Sequence, residues 1–305
     1  MDLTTRPHLR VVRDAEIPLW AHLTVTTLEN LEVADEAEYM KRFAQEGVET
    51  RQMGFLVWHN GRAIGRLRLR VSGDQAAAWG LGLAPEALAE GLESALVEAI
   101  EDQARNAGAG HLYAEVTPSL TTLFSGAGYR PKKSRVGMRA KLVHRPVVCG
   151  RTMRHPRPGD EADVQAIGQL YYDAYLNTID HDGETLDEAL AEAKRTLGDQ
   201  YGHFLADCSF VLEGTDGPAA ATLVTEESDD TALLAEVMIC PGYRGQGYAR
   251  PLIQAAMNAC LERGFTDMVL MVTLGNVPAE GLYRRMGFVE EPGFEVDHLE
   301  KELYS

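Results

Sequence analysis

Ile239-Cys240-Pro241-Gly242-Tyr243-Arg244-Gly245-Gln246-Gly247-Tyr248-Ala249 is the stretch on which the fold turns. An apolar run, Leu233–Ile239, feeds a glycine-rich loop, and the loop opens a helical pattern, Tyr248–Glu262. Leu252, Ile253, Ala256, Met257, Cys260 and Leu261 recur there at helical spacing, and Gly264 ends it. The first N–H groups of a helix have no internal acceptor, and the helix dipole places positive potential beside them. Glycines let such a backbone approach a phosphate closely. The loop therefore reads as an anion cradle built from Arg244, Gly245, Gln246, Gly247, Tyr248 and Ala249. Rival fingerprints fail: no Lys-Ser/Thr follows as in a P-loop, and there is no G-x-G-x-x-G.

Working outward, Met268–Thr273 reads as the next strand and Pro278–Met286 as a short helix. Upstream, Ser209–Glu213 and Ala219–Thr225 read as strands. Before them lie helical stretches Glu161–Leu176 and Leu186–Leu197, the second opened by a capping box, Thr185-x-x-Glu188. Their connection carries Asp180, His181, Asp182 and Glu184, with Tyr171, Tyr172 and Tyr175 just ahead. It reads either as an acid-rich wall for a cationic ligand or as a solvated loop with a helix cap; the capping residues favour the second.

The same order occurs earlier. Gly54–Trp58 and Ala63–Val71 flank Asn60-Gly61, a hairpin signal; a strand Ala77–Leu83, a helix over about Glu86–Asn106 and a strand His111–Val116 follow. Pro85 pairs with Pro241 and Gly128-Tyr129 with Gly287-Phe288, a period of 156–159 residues. A period that long means duplicated domains, divided near His144–Pro156, so that residues 1–148 and 149–305 are expected as two domains.

With strand, loop and helix in place, the second half resembles the GNAT superfamily of N-acetyltransferases, whose pyrophosphate loop reads Q/R-x-x-G-x-G/A. Asn276-Val277-Pro278-Ala279-Glu280-Gly281-Leu282-Tyr283-Arg284-Arg285-Met286-Gly287-Phe288 is similar to the family's N-x-x-A-x-x-L/F-Y-x-x-x-G-F segment. The motif-level resemblance covers Leu233–Val289. It implies an α/β (α+β) fold of two tandem acyl-CoA N-acyltransferase domains, each a mixed, mostly antiparallel twisted sheet flanked by helices. It implies acetyl-CoA as co-substrate and a primary amine as acceptor. Asn276 would contact the cofactor, and Tyr283 would protonate the departing thiolate as general acid. Strand splaying in the family would free backbone amides near Met238 and Ile239 for the thioester carbonyl. Glu236 is a carboxylate inside an apolar strand, costly unless exposed or partnered. In a run that looks like the base-bearing strand of the histone acetyltransferase branch, it would take the proton of the acceptor amine, burial raising its pKa.

The first half serves as an internal control. The pairing sets Arg244 against Leu88, Ala249 against Glu93, Glu236 against Gly80, Asn276 against Thr117 and Tyr283 against Phe124. Fold residues survive and the chemical groups do not, as expected of a degenerate domain.

Composition narrows the partners. The net charge is −17, yet residues 1–148 hold 18 basic and 18 acidic residues, so the excess lies wholly in the second half. That surface repels a nucleic-acid backbone, and it either attracts a cationic acceptor or serves solubility alone. No run approaches a membrane span, and the four cysteines show neither disulfide nor zinc spacing. The expectations are a cytoplasmic enzyme with no metal, no nucleic acid and no membrane partner. The alternative is a non-catalytic acyl-CoA-binding sensor or scaffold.

Overall fold

The computed structural model describes residues 6–27, 36–45 and 48–304. By contact they form two units, Met1–Arg135 with Pro292–Ser305, and Val136–Glu291. In the first unit the chain runs β1 (His8–Val11), α1 (Ile17–Thr27), α2 (Glu36–Gln45), α3 (Val48–Gln52), β2 (Gly54–His59), β3 (Arg62–Ser72), β4 (Gln75–Leu83), α4 (Pro85–Ala89), α5 (Glu93–Asn106), β5 (His111–Val116), α6 (Pro118–Gly126) and the start of β6 (Arg130–Lys141). The hairpin closes at Asn60-Gly61, with His59 opposite Arg62. The single helix expected over Glu86–Asn106 is broken into α4 and α5, because Gly91 turns into the left-handed region at φ 68°.

The second unit continues from β6 through β7 (Met153–Arg154), α7 (Glu161–Tyr175), α8 (Leu186–Leu197), β8 (Phe210–Glu213), β9 (Pro218–Glu226), β10 (Thr231–Ile239), α9 (Ala249–Glu262), β11 (Asp267–Thr273) and α10 (Val277–Met286) into β12 (Val289–Glu302). Its sheet order is β6-β11-β10-β9-β8-β7; in the first unit it is β1-β2-β3-β4-β5-β12. Thr185 caps α8 with Glu188 in the expected reciprocal box.

Chain order draws a division at Val148/Cys149, and the contacts draw another. The chain leaves the first unit inside β6 and returns to it inside β12. There Asp297–Glu302 pair antiparallel with β5, from Asp297↔Val116 to Glu302↔His111. Leu299 and Leu303 join the first unit's apolar core beside Leu112, Leu96 and Phe124. Side chains of this size gain about 1.5–3 kcal/mol each when fully buried, which fixes the exchanged strand. The repeat could not reveal it, because both units have the same strand order and either sheet offers an edge.

Two of the apolar clusters among the described residues of the second unit frame the site. One joins the sheet to α7 and α8 through Ile167, Leu170, Ala193, Leu223 and Met238. The other joins it to α9 and α10 through Leu234, Ile253, Met257, Tyr283 and Met286. β10 contributes to both.

Candidate active site

β10 pairs with β11 only from Thr231↔Asp267 to Leu233↔Val269, whereas its pairing with β9 runs on to Ile239↔Ala220. Past Leu233 the two parallel strands part, as expected. Cys240 donates its N–H to Ala219 O at 2.9 Å. Donors alternate sides along an antiparallel strand, so the amides of Ile239 and Val237 face the opening and that of Met238 faces β9. Met238 and Ile239 are the expected amides; the parity turns that of Ile239, with Val237, to the opening, and the Met238 side chain is buried in the α7–α8 core.

The register between β10 and β9 shifts between Leu234 and Glu236. The bulge adds one residue and reverses which face follows. Leu234 and Val237 therefore pack in the α9 cluster, while Met238, and Glu236 two residues before it, face α7. There the Tyr175 hydroxyl, in the last turn of α7, donates to Glu236 Oε2 at 2.5 Å. Burial pushes the Tyr175 phenol well above its ordinary range, and Glu236, Tyr171 and Tyr283 push it further in the same direction. Tyr175 thus stays a donor. Tyr171 meets it edge-on, ring centroids 4.8 Å apart. Tyr283 reaches the same group electrostatically from α10, its ring 8% exposed and packed on Phe288. The structure bonds Glu236 to Tyr175, which the sequence offers only as one tyrosine of three. Its spacing of four from Tyr171 on one helix face was the available signal.

The loop after β10 makes a turn at Pro241–Tyr243, and Gly245 and Gly247 take φ values of 72° and 80°. A side chain with a Cβ is strained in both places. The backbone N–H groups of Gly245, Gln246, Gly247, Tyr248 and Ala249 meet no acceptor among the described residues. α9 begins with neither a side-chain cap nor an acid in its first turn. This is an open anion cradle made of backbone. Two polar side chains of the motif serve the loop itself. Arg244 donates to Ala174 O at 2.6 Å and to Ile239 O at 3.4 Å, tying the loop to the end of α7. Gln246 donates to Gly242 O at 3.0 Å. A cation absent from the sequence reading stands alongside: Arg151 donates to the Tyr248 hydroxyl at 2.9 Å and lies over the Tyr243 and Tyr248 rings.

Asn276 caps α10, its Oδ1 accepting from Ala279 N at 3.3 Å, and its Nδ2 donates to Asp180 Oδ2 at 2.9 Å. Asp180 also accepts from the Thr273 hydroxyl. Both ends of the Asn276 amide are thus used within the unit, pinning the α7–α8 connection beside the β11–α10 turn. Glu184 accepts from Asp182 N at 2.8 Å. Part of the acid-rich wall is therefore spent on local backbone and on this clamp, in line with the capped-loop reading. Among the described residues no group of three or more His, Cys, Asp or Glu is arranged to hold a metal.

In the first unit the counterpart of Glu236 is Gly80, and a cation fills the neighbourhood. Arg66 Nη1 donates to Gly80 O at 2.9 Å, its guanidinium lies 5.4 Å from the Trp20 ring centroid, and its Nε is buried without an acceptor. Burial pushes its pKa down to about 10. A cation whose folded-state pKa is depressed lowers stability in full below that pKa, and the penalty lifts as pH rises from about 10 toward arginine's ordinary range. Arg66→Met is therefore expected to stabilise the unit by about 1–3 kcal/mol. All three tryptophans, Trp20, Trp58 and Trp79, lie in this unit, so urea unfolding followed by their fluorescence reads it directly. A lower midpoint would mean that the guanidinium's contacts outweigh its desolvation.

A family model described as the acetyltransferase (GNAT) family matches residues 20–122 and 165–288. Streptothricin acetyltransferase of Streptomyces lavendulae is 29% identical over 150 residues, 44% of this chain and 79% of that protein. The ribosomal protein bS18-alanine N-acetyltransferase of Escherichia coli is 32% identical over 75 residues, 25% of this chain. The chain spans about half the length of that relative, 51%. Among solved structures, a GCN5-related N-acetyltransferase from Sphaerobacter thermophilus superposes with a TM-score of 0.75 at 21% identity, covering 99% of this chain and 97% of that one. A tandem GNAT protein from the clavulanic acid biosynthesis pathway superposes with a TM-score of 0.68 at 15% identity, covering 98% and 99%. These two show a shared fold.

Proposed function

The chain belongs to the GNAT family of acetyltransferases, and from that premise we propose that its second unit transfers the acetyl group of acetyl-CoA directly to a primary amine. The observation that carries this reading is the Tyr175–Glu236 hydrogen bond at the parted end of β10, on the strand that runs into a loop whose N–H groups meet no acceptor among the described residues. The cradle holds the pyrophosphate. The neutral amine attacks the thioester carbonyl, and the amides of Val237 and Ile239 face the charge that develops on its oxygen. Glu236 takes the proton released as the C–N bond forms. The C–S bond breaks, and Tyr283 protonates the thiolate. No acyl-enzyme is needed. Cys240, the cysteine nearest the loop, is not required by this scheme.

The first unit keeps the fold without the site. Leu88 is exposed, Glu93 opens α5 with a carboxylate, and Gly80 replaces Glu236. Among the described residues no helix is long and apolar enough to cross a membrane, and the four cysteines are free; we assign the reaction to the cytoplasm. Calorimetric titration of acetyl-CoA is expected to give a stoichiometry near one. Release of free thiol from acetyl-CoA is then measured with three acceptors: streptothricin, a peptide beginning with alanine, and an alkyl diamine. A stoichiometry near two would assign a working cradle to the first unit as well. Tight binding with no release beyond hydrolysis for any amine would leave an acyl-CoA-binding module.

A further inference from the structure

Tyr175 is neither part of the loop motif nor of the segment that carries Tyr283, and yet it makes the hydrogen bond to the carboxylate on which the proposed chemistry depends. Three observations fix its situation. It stands at the C-terminal end of α7, and the adjoining carbonyl, Ala174 O, is gripped by Arg244 at 2.6 Å. Its ring is braced edge-on by Tyr171. The β10 bulge turns Glu236 to its side of the sheet. The phosphate loop, the helix end and the carboxylate are thereby joined in one chain of contacts.

We propose that Tyr175 is a positioning residue for Glu236, holding the ionised carboxylate in one orientation at the parted strands through its hydrogen bond to Oε2. The inference rests on the reading of Glu236 as the base. Tyr175 neither gains nor loses a proton in the reaction: the amine proton goes to Glu236, and the phenol keeps its own. A buried phenol donating to a carboxylate favours the charged form of that carboxylate. It also lowers the entropy of a flexible side chain before substrate arrives. Among the titratable groups, Tyr171 on α7 and Tyr283 on α10 bear on the pair. Arg244 approaches the same helix end through Ala174 O. Asp180, on the following connection, is bonded to Thr273 and Asn276. Tyr175→Phe leaves all of these in place.

The test separates this proposal from the one it rests on. The full chain is labelled with carbon-13 at the glutamate side-chain carboxyl, and the Glu236 resonance is assigned by its loss in Glu236→Gln. The resonance is then titrated in the wild type and in Tyr175→Phe, with no acceptor needed. The expected result is a midpoint higher by about one pH unit or more in Tyr175→Phe, because the charged form has lost its donor. Incorporating 3-fluorotyrosine at position 175, a stronger donor, is expected to move the midpoint down. It also keeps the test available should the phenylalanine variant fold poorly. Unchanged midpoints in both would overturn the positioning role. In thiol-release assays with the best of the three amines, the acid limb of kcat/KM is expected to follow the same shifts while acetyl-CoA affinity stays within twofold. If the carboxyl titration shifts but Glu236→Gln retains full activity, the positioning contact stands as a structural one and the base assignment fails instead.

Discussion

Glu236→Gln is expected to lower kcat for amine acetylation by about 10²–10⁴-fold, the usual contribution of a positioned general base, while leaving acetyl-CoA affinity nearly unchanged. Glutamine is close in shape to glutamate and still accepts from the Tyr175 hydroxyl, so the α7 contact survives and the fold is spared. What it loses is the capacity to take a proton. The loss falls on kcat rather than on cofactor binding, because the cradle lies in the loop and first turn of α9, on backbone groups that the substitution does not touch. At high pH hydroxide can take the proton released from the attacking nitrogen in place of Glu236, so the deficit is expected to narrow there. A variant with wild-type kcat across the profile would remove Glu236 from the chemistry. Parallel falls in kcat and in acetyl-CoA affinity would make it a structural residue of β10.

How much of this could be read beforehand depends on the range of the interaction. The loop was legible because its signal is local: a strand, glycines and a helical period within one stretch of chain. The helix α8 and its capping box were legible for the same reason. The exchange of β12 into the first unit was not, because pairing Leu299 with Ala114 joins residues that no local pattern connects. The bulge at Ala235 had a similar effect on a smaller scale. Strict alternation along Leu233–Ile239 puts Glu236 on the same face as Leu234, in the α9 core. One extra residue reverses the assignment and delivers the carboxylate to Tyr175. The same parity explains why Val237 and not Met238 presents an amide to the opening. Arg244 shows the opposite limit. Its motif position was plain, but whether its guanidinium meets phosphate or protein depends on where α7 ends, and it meets Ala174 O. Arg151, more than ninety positions from the tyrosines it covers, gave no signal at all.

The internal duplication also supplies the sharpest test of the cradle. Ala249 corresponds to Glu93 of the first unit, the residue that opens α5 with a negative charge. Ala249→Glu copies that feature into the second unit and is expected to weaken acetyl-CoA binding by at least about 100-fold. Two effects act together. The carboxylate accepts from the free N–H groups of the first turn, as acids at helix starts do, and so competes for the donors that would hold the pyrophosphate. It also sets like charge against the phosphates in a site of reduced dielectric, where repulsion between close charges costs several kcal/mol. The helix itself is expected to gain slightly, since a first turn now lacking any acid acquires one. Thermal unfolding of the free protein therefore rises or stays level while calorimetric affinity collapses, an opposition that a damaged fold does not produce. Ala249→Gln, similar in length but neutral, is expected to lose far less. Equal losses in the two variants would assign the effect to bulk and leave the electrostatic account of the cradle without support, whereas undiminished affinity in Ala249→Glu would place the phosphates away from this helix start.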